Sequence, residues 1–181
     1  LPQDGGEGHF LALFLKKGDA GASLFSIVQT KFDTFGIEIQ KLYNECFYSK
    51  PEGAFQRFGR IIRLLPASLP DLRGLLGAGC AAAEIKETGR GAVRLEPCHA
   101  LFMAVQAEDC RRLLDLDLTD PRLAAFLRGE EIDAPGCAGW TAVAASGVVT
   151  GFGKASGGRL KNRYPKGLRL RAGGSTGRNK A

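Results

Sequence analysis

From Trp140 onward the sequence changes from helix-like spacing to short apolar runs, and this change constrains the fold more than any other feature. Residues 141–145 and 148–152 are short apolar runs on either side of the pair Ser146 and Gly147. Two such runs around a glycine-containing turn are typical of a β-hairpin. The C-terminal part of the chain is therefore predicted to be built on short strands.

Helix signals precede this hairpin. Asp120 is a suitable N-cap, Pro121 suits the first helical position, and Gly129 suits the end of a helix. Two more short helices are predicted, one opened by Pro97 and one over residues 107–114. Short helices beside short strands indicate a mixed α+β unit.

The first half of the chain predicts a second mixed unit. Apolar residues recur at three- and four-residue spacing over residues 32–48, as in an amphipathic helix. Residues 55–65 are predicted to form a hairpin around Gly59, and residues 75–86 a strand or two with a glycine bend. Residues 9–16 form a nearly continuous apolar run, which is typical of a strand buried on both faces.

The fold class is therefore α+β, with two small mixed domains behind one orphan strand. The predicted segments are residues 1–21 for the orphan strand, 22–90 for the first domain, 91–171 for the second, and 172–181 for a disordered basic tail.

Basic charge is concentrated at the C-terminal end. The chain has 181 residues and a formal net charge of +6, yet residues 134–181 hold 9 Lys and Arg and no acid. Residues 1–133 hold 16 Lys and Arg against 19 acids. Segregated positive charge indicates a phosphate-bearing partner, RNA or DNA. The alternative is a solvated basic face with a basic tail.

Several classes of protein are excluded. No apolar run approaches the ~20 residues of a membrane-spanning helix. Five Cys with no C-x-x-C pair and only two His argue against a disulfide scaffold and a structural zinc site, and favour a cytoplasmic location. Cys98 beside His99 is a poor nucleophile and base pair, since neighbouring helical residues point apart. Cys137 follows a turn-like D-A-P-G segment and is also predicted to be non-catalytic.

Several motifs together resemble one family. They are G-E-G-H-F at residues 6–10, E-P-C-H-A-L at 96–101, G-W at 139–140, G-F-G-K at 151–154 and L-K-N-R-Y-P-K-G-L-R at 160–169. This pattern resembles the C-terminal half of RsmF-type, Sun-related ribosomal RNA cytosine-5 methyltransferases. Cys98 stands where the family has Ser, and Phe152 where it has Trp.

The resemblance implies a fold and an activity. Residues from about 94 to 171 would form a PUA-like β-barrel with short helices that binds RNA. Residues 1–21 would hold the last strand of a Rossmann-like methyltransferase sheet. The whole enzyme would methylate cytosine in ribosomal RNA with S-adenosylmethionine. The family's cofactor loop and catalytic Cys motifs do not occur in this sequence, so no catalytic, cofactor-binding or metal residue is assigned.

The chain begins with Leu1 and runs almost at once into an apolar strand. We therefore expect a piece of a longer protein, with the methyltransferase domain in the same polypeptide. Whether the chain belongs to an enzyme stays open at this stage. The alternatives are a free-standing RNA-binding adaptor in ribosome assembly, and a domain whose basic face binds an acidic protein.

The candidate RNA contacts lie near the C-terminus. The basic residues offer donors to phosphates, Asn162 can bond a base edge or a 2′-hydroxyl, and Tyr164 can either stack on a base or pack in the fold. Trp140 is predicted to belong to the core. The RNA-binding set is Lys154, Arg159, Lys161, Asn162, Arg163, Tyr164, Lys166 and Arg169.

Overall fold

The structure, a computed structural model, describes residues 36–48, 53–66, 78–87, 89 and 93–170. It is a mixed α+β chain with two antiparallel-rich sheets and short helices. The predicted orphan strand in residues 1–21 and the predicted tail in residues 172–181 lie outside the described residues. The predicted domain boundaries stay predictions.

The first part of the fold is a helix packed with a four-stranded sheet. Helix α1 (Gly36–Cys46) buries Ile39, Leu42, Tyr43 and Cys46, which share one face at helical spacing. The predicted helix is confirmed over these residues. The strands are β1 (Ala54–Phe58), β2 (Ile61–Leu65), β3 (Cys80–Glu87) and β4 (Val93–Pro97), and they pair in chain order as an antiparallel meander.

The predicted hairpin around Gly59 is confirmed as β1 and β2. Gly59 has a φ of +60°, a left-handed conformation that glycine adopts without strain, so the chain can reverse between Phe58 and Ile61.

The second sheet has five strands in the order β5-β7-β8-β9-β6. Its strands are β5 (Leu113–Leu116), β6 (Ile132–Asp133), β7 (Gly139–Ala145), β8 (Val148–Ser156) and β9 (Arg159–Asn162). The predicted hairpin at Ser146 and Gly147 joins β7 to β8, and both strands are longer than predicted. The sheet is consistent with a PUA-like domain.

Two short helices accompany this sheet. Helix α2 is His99–Met103 and helix α3 is Pro121–Leu127. The predicted N-cap of α3 is confirmed: an Asp120 carboxylate oxygen accepts the backbone N–H of Arg122 at 2.9 Å. Gly129, with a φ of +88°, follows the helix as expected.

The predicted helix over residues 107–114 is wrong. Ala107–Asp109 forms a single 3-10 turn, and Leu113–Leu116 is a strand parallel to β7. The strand conformation sends Leu113 to one hydrophobic cluster and Leu114 to another, on opposite faces of the sheet. One helical face could not bury both leucines in this way.

The short helix predicted to open over residues 96–101 is confirmed as α2, but the predicted place of Pro97 in its first turn is wrong. Pro97 ends β4 opposite Ala83, and the ladder continues one residue further, where the N–H of Cys98 donates to the carbonyl of Ala82 at 2.9 Å. The backbone is therefore still extended at Cys98, and the helix begins at His99.

One hydrophobic core joins the two sheets. Phe102 of α2 stacks on Phe152 of β8, with ring centroids 4.4 Å apart, and Phe47 after α1 packs on Phe102 at 5.0 Å. Trp140 lies in the same cluster, as predicted. No helix of the described residues is long and apolar enough to cross a membrane.

Candidate nucleic-acid interface

Two exposed lysines lie side by side on the second sheet. Lys154 of β8 is the register partner of Lys161 of β9, and Trp140 of β7 is the register partner of Lys154 on its other side. Residues directly opposite each other in antiparallel strands project from the same face, with Cβ atoms ~5 Å apart. We call Lys154 and Lys161 the lysine pair.

Trp140 orients two cations at this face. The Lys154 Nζ lies 5.1 Å from the centre of the Trp140 ring, and the Arg163 Cζ lies 5.8 Å from it. Both distances fit cation–π attraction, which holds a flexible side chain in place while leaving its N–H groups able to donate. Because Trp140 is only 5% exposed, it supports these cations and has little surface to offer a base.

Arg163 joins the second sheet to the first. Its Nη2 lies 3.3 Å from Oε1 of Glu96 in β4, and the Nη2 of Arg94 lies 2.8 Å from the same oxygen. Glu96 is well covered, with 13% of its side chain exposed. The Nε of Arg163 is buried with no hydrogen-bond partner among the described residues.

The charge of Arg159 is already matched by two carboxylates. Its Nε lies 3.1 Å from Glu131, and its Nη1 contacts Asp133 of β6. These bonds raise the pKa of Arg159 and tie the β9 end of the sheet to β6. A phosphate approaching here would meet two acids as well as one guanidinium.

Asn162 is held by three hydrogen bonds. Both of its amide hydrogens are used, because Nδ2 donates to the carbonyls of Phe126 at 2.8 Å and Glu130 at 2.9 Å. Its Oδ1 accepts the backbone N–H of Tyr164 at 2.6 Å. These bonds anchor the end of α3 to β9. A contact with a base edge stays a prediction: donation by Nδ2 would have to break one of these bonds, and only the second lone pair of Oδ1 stays available as an acceptor.

Tyr164 packs in the fold. Its ring lies between Phe126 at 5.5 Å and His99 at 5.4 Å, in an edge-on arrangement with His99. Its carbonyl accepts from Arg169, whose Nε and Nη2 lie 3.3 and 3.2 Å away. The geometry favours the packing role over the stacking role. Arg169 is occupied in the same local structure.

Lys166 is exposed in the 3-10 helix Lys166–Leu168. Like the lysine pair, it makes no ion pair with any acid in the described part of the chain. Of the eight candidate residues, Lys154, Lys161, Lys166 and Arg169 therefore make no ion pair within the described residues, and Arg169 is bonded to the Tyr164 carbonyl.

The Cys98 thiol is poorly suited to catalysis. Burial raises the pKa of Cys98 to about 11, with a smaller contribution from Glu84, and burial lowers the pKa of His99. A thiol with such a pKa holds little thiolate at neutral pH. In the described ranges, no group of three or more His, Cys, Asp or Glu side chains is placed to hold a metal ion.

Comparison with known families gives a match to part of the chain. Residues 113–170 match the family model of the methyltransferase RsmF PUA domain. This segment is similar to the PUA domain of RsmF-type methyltransferases. It begins with β5, contains the whole five-stranded sheet and α3, and includes all eight candidate residues. A search of curated proteins finds no match to the chain.

Sequence reasoning missed the acidic residue next to the interface. Glu96 lies 67 residues before Arg163 in the sequence and outside the matched PUA domain. No spacing pattern connects the two residues, because the contact is a side-chain ion pair between β4 and the residue that follows β9. The partners of Arg159 were missed for the same reason.

Proposed function

We propose that this chain is the RNA-binding region of an S-adenosylmethionine-dependent ribosomal RNA cytosine-5 methyltransferase, and that its PUA domain positions the RNA substrate. The match to the RsmF PUA domain supports the family. The lysine pair, exposed on that domain without acidic partners in the described residues, is the observation that carries RNA binding.

The lysine pair suits an RNA backbone. Two ammonium groups on adjacent strands can each donate to a phosphate oxygen without first releasing a carboxylate. Such contacts are independent of base identity and fix the register of the protein on the RNA. Arg163 lies beside the pair and shares Trp140 with Lys154, so it extends the same positive surface.

The cofactor and the chemistry belong to another part of the proposed enzyme. We assign S-adenosylmethionine and the catalytic cysteines to a methyltransferase domain in the same polypeptide, since this sequence holds no cofactor loop of that family. The proposed location is the cytoplasm and the proposed partner is ribosomal RNA. In this arrangement the described residues bind and orient RNA and move no methyl group.

A salt titration of RNA affinity tests the proposal. We expect Lys154→Gln and Lys161→Gln each to weaken binding to ribosomal RNA fragments, and to lower the slope of log K against log salt by ~0.7 per lost contact. The loss should be similar for RNAs of different sequence, because phosphates carry no sequence information.

Arg128→Gln is the matched control. It also removes one positive charge, but Arg128 lies at the end of α3 and is paired with Glu130. An equal loss of affinity in the control would mean that only net charge matters. If neither lysine variant changes the affinity, the lysine pair is not the RNA-binding surface.

A further inference from the structure

The positive surface does not end at the PUA domain. Resting on the proposed function, we propose that RNA bound at the lysine pair continues across the first sheet, where Arg94 and Lys86 contact its phosphates. This adds a second contact surface, on the β3 and β4 strands, to an interface that the sequence motifs confine to the PUA domain.

The junction between the two surfaces is tight. The guanidinium groups of Arg163 and Arg94 lie within 3.3 Å of a single Glu96 oxygen. Arg94 belongs to β4 of the first sheet, and Arg163 directly follows β9 of the second. Glu96 is largely covered, whereas 61% of the Arg94 side chain is exposed. The carboxylate thus brings the two arginines together, and Arg94 keeps surface that a phosphate can reach.

The next cation follows from the strand register. Lys86 of β3 is the direct partner of Arg94 of β4, and Glu84 is the partner of Glu96 two residues along. All four side chains therefore project from the same face of the sheet. Lys86 is 40% exposed and pairs with Glu84 at 2.6 Å, an exposed contact that a phosphate can displace at small cost.

Charge complementarity identifies the occupant. Positive charges outnumber negative charges along this path. The cations are Lys161, Lys154, Arg163, Arg94 and Lys86, and the acids among them are Glu84 and Glu96. An apolar ligand would find no hydrophobic surface on this face of the sheet, because the residues that β3 and β4 contribute to it are charged. A chain of regularly spaced phosphates matches this surface, and continuity with the lysine pair makes the same RNA molecule the occupant.

The experiment compares RNAs of increasing length against the full chain. With long RNA, Lys86→Gln and Arg94→Gln should each weaken binding about two- to fivefold at low salt and lower the salt slope by ~0.7. With RNA too short to leave the PUA domain, neither variant should change the affinity. The charge-preserving variants Lys86→Arg and Arg94→Lys should bind long RNA as the unmodified chain does.

Two controls separate this inference from the proposed function. Arg128→Gln removes one positive charge that is already paired with Glu130 and should be silent at all lengths. Lys161→Gln should weaken both long and short RNAs. If Lys161→Gln acts but Lys86→Gln and Arg94→Gln do not, the extension is wrong and the PUA surface stands. If Lys161→Gln is also silent, the proposed function itself fails.

Discussion

At the scale of single residues, Gly153 shows how closely β8 and β9 approach. A Cβ built on Gly153 would lie 2.2 Å from Leu160 Cδ2 and 2.7 Å from the carbonyl oxygen of Lys161. Gly153→Ala should therefore lower the free energy of unfolding by about 1–3 kcal/mol, since the extra methyl forces the strands or the buried Leu160 to move. Thermal or denaturant unfolding measures this loss.

Gly167→Ala is the control for this prediction. No atom lies within 4 Å of the position that its Cβ would take, and Gly167 has no positive φ. It should change the stability little or raise it slightly. Equal destabilisation by the two variants would show that the close approach at Gly153 is not the cause.

Asn162 separates a structural role from a role in base recognition. Asn162→Ala removes all three of its hydrogen bonds and leaves the carbonyls of Phe126 and Glu130 without this donor. We expect a loss of about 1–3 kcal/mol in unfolding free energy, since each lost hydrogen bond contributes about 0.5–1.5 kcal/mol and the Phe126 carbonyl still accepts the N–H of Gly129. RNA affinity, measured well below the melting temperature, should stay close to that of the unmodified chain. A large loss of affinity in the folded variant would restore the predicted base contact.

The sequence identifies the cations of the candidate interface but not their partners. Arg159 and Lys161 are two residues apart and look alike in the sequence, yet the structure surrounds Arg159 with Glu131 and Asp133. Asp133 lies in β6 and Glu131 just before it, 26 and 28 residues away from Arg159. Charge composition therefore predicts a basic region, and only strand pairing determines which of its charges are unmatched.

At the scale of elements, the start of helix α3 is stabilised by the Asp120 side chain, and the size of this contribution can be measured. The side chain and backbone N–H of Arg122 donate to Asp120 and lower the pKa of its carboxyl. A carboxyl with a lowered folded-state pKa stabilises the fold above its unfolded pKa, and this contribution is lost as the pH falls through the folded value.

The pH dependence gives a direct measurement. At neutral pH, Asp120→Asn should melt below the unmodified chain, and Asp120→Ala lower still, because Asn keeps a cap oxygen and Ala does not. The gap between the unmodified chain and Asp120→Asn should shrink as the pH falls below ~3.9, the ordinary pKa of Asp. A gap that is independent of pH would mean that the charge on Asp120 contributes nothing.

Local signals at this scale predict some elements and miss others. The hairpins at Gly59 and at Ser146 and Gly147, and the capped helix α3, follow from turn and cap residues close in sequence. The strand β5 has no such signal. The spacing of its leucines predicts a helix. The segment is a strand because it pairs in parallel with β7, nearly thirty residues later in the sequence.

At the scale of the whole molecule, the two predicted units share a core. Phe102 of α2 lies outside the matched segment and stacks on Phe152 within it. Arg112 makes a second link, because its Nε donates to the carbonyl of Trp140 and its Nη2 donates to the carbonyl of Glu45. Two sheets with separate hydrogen-bond ladders thus bury their apolar faces against the same cluster. Sequence patterns divide the chain by strands and turns and give no sign of this shared core.

The shared core predicts that the matched PUA domain is incomplete when isolated. A fragment of residues 113–170 would expose Trp140 and Phe152, because Phe47 and Phe102 are absent, and each uncovered aromatic side chain costs about 1.5–3 kcal/mol. Trp140 is the single Trp of the chain, so its fluorescence reports this junction directly.

We expect the full chain to unfold in one transition by Trp140 emission and circular dichroism. The fragment should melt at a lower temperature with red-shifted emission, and residues 93–170, which regain Phe102, should fall between them. A fragment of residues 113–170 with the emission and melting temperature of the full chain would show that the PUA domain is stable without the first sheet.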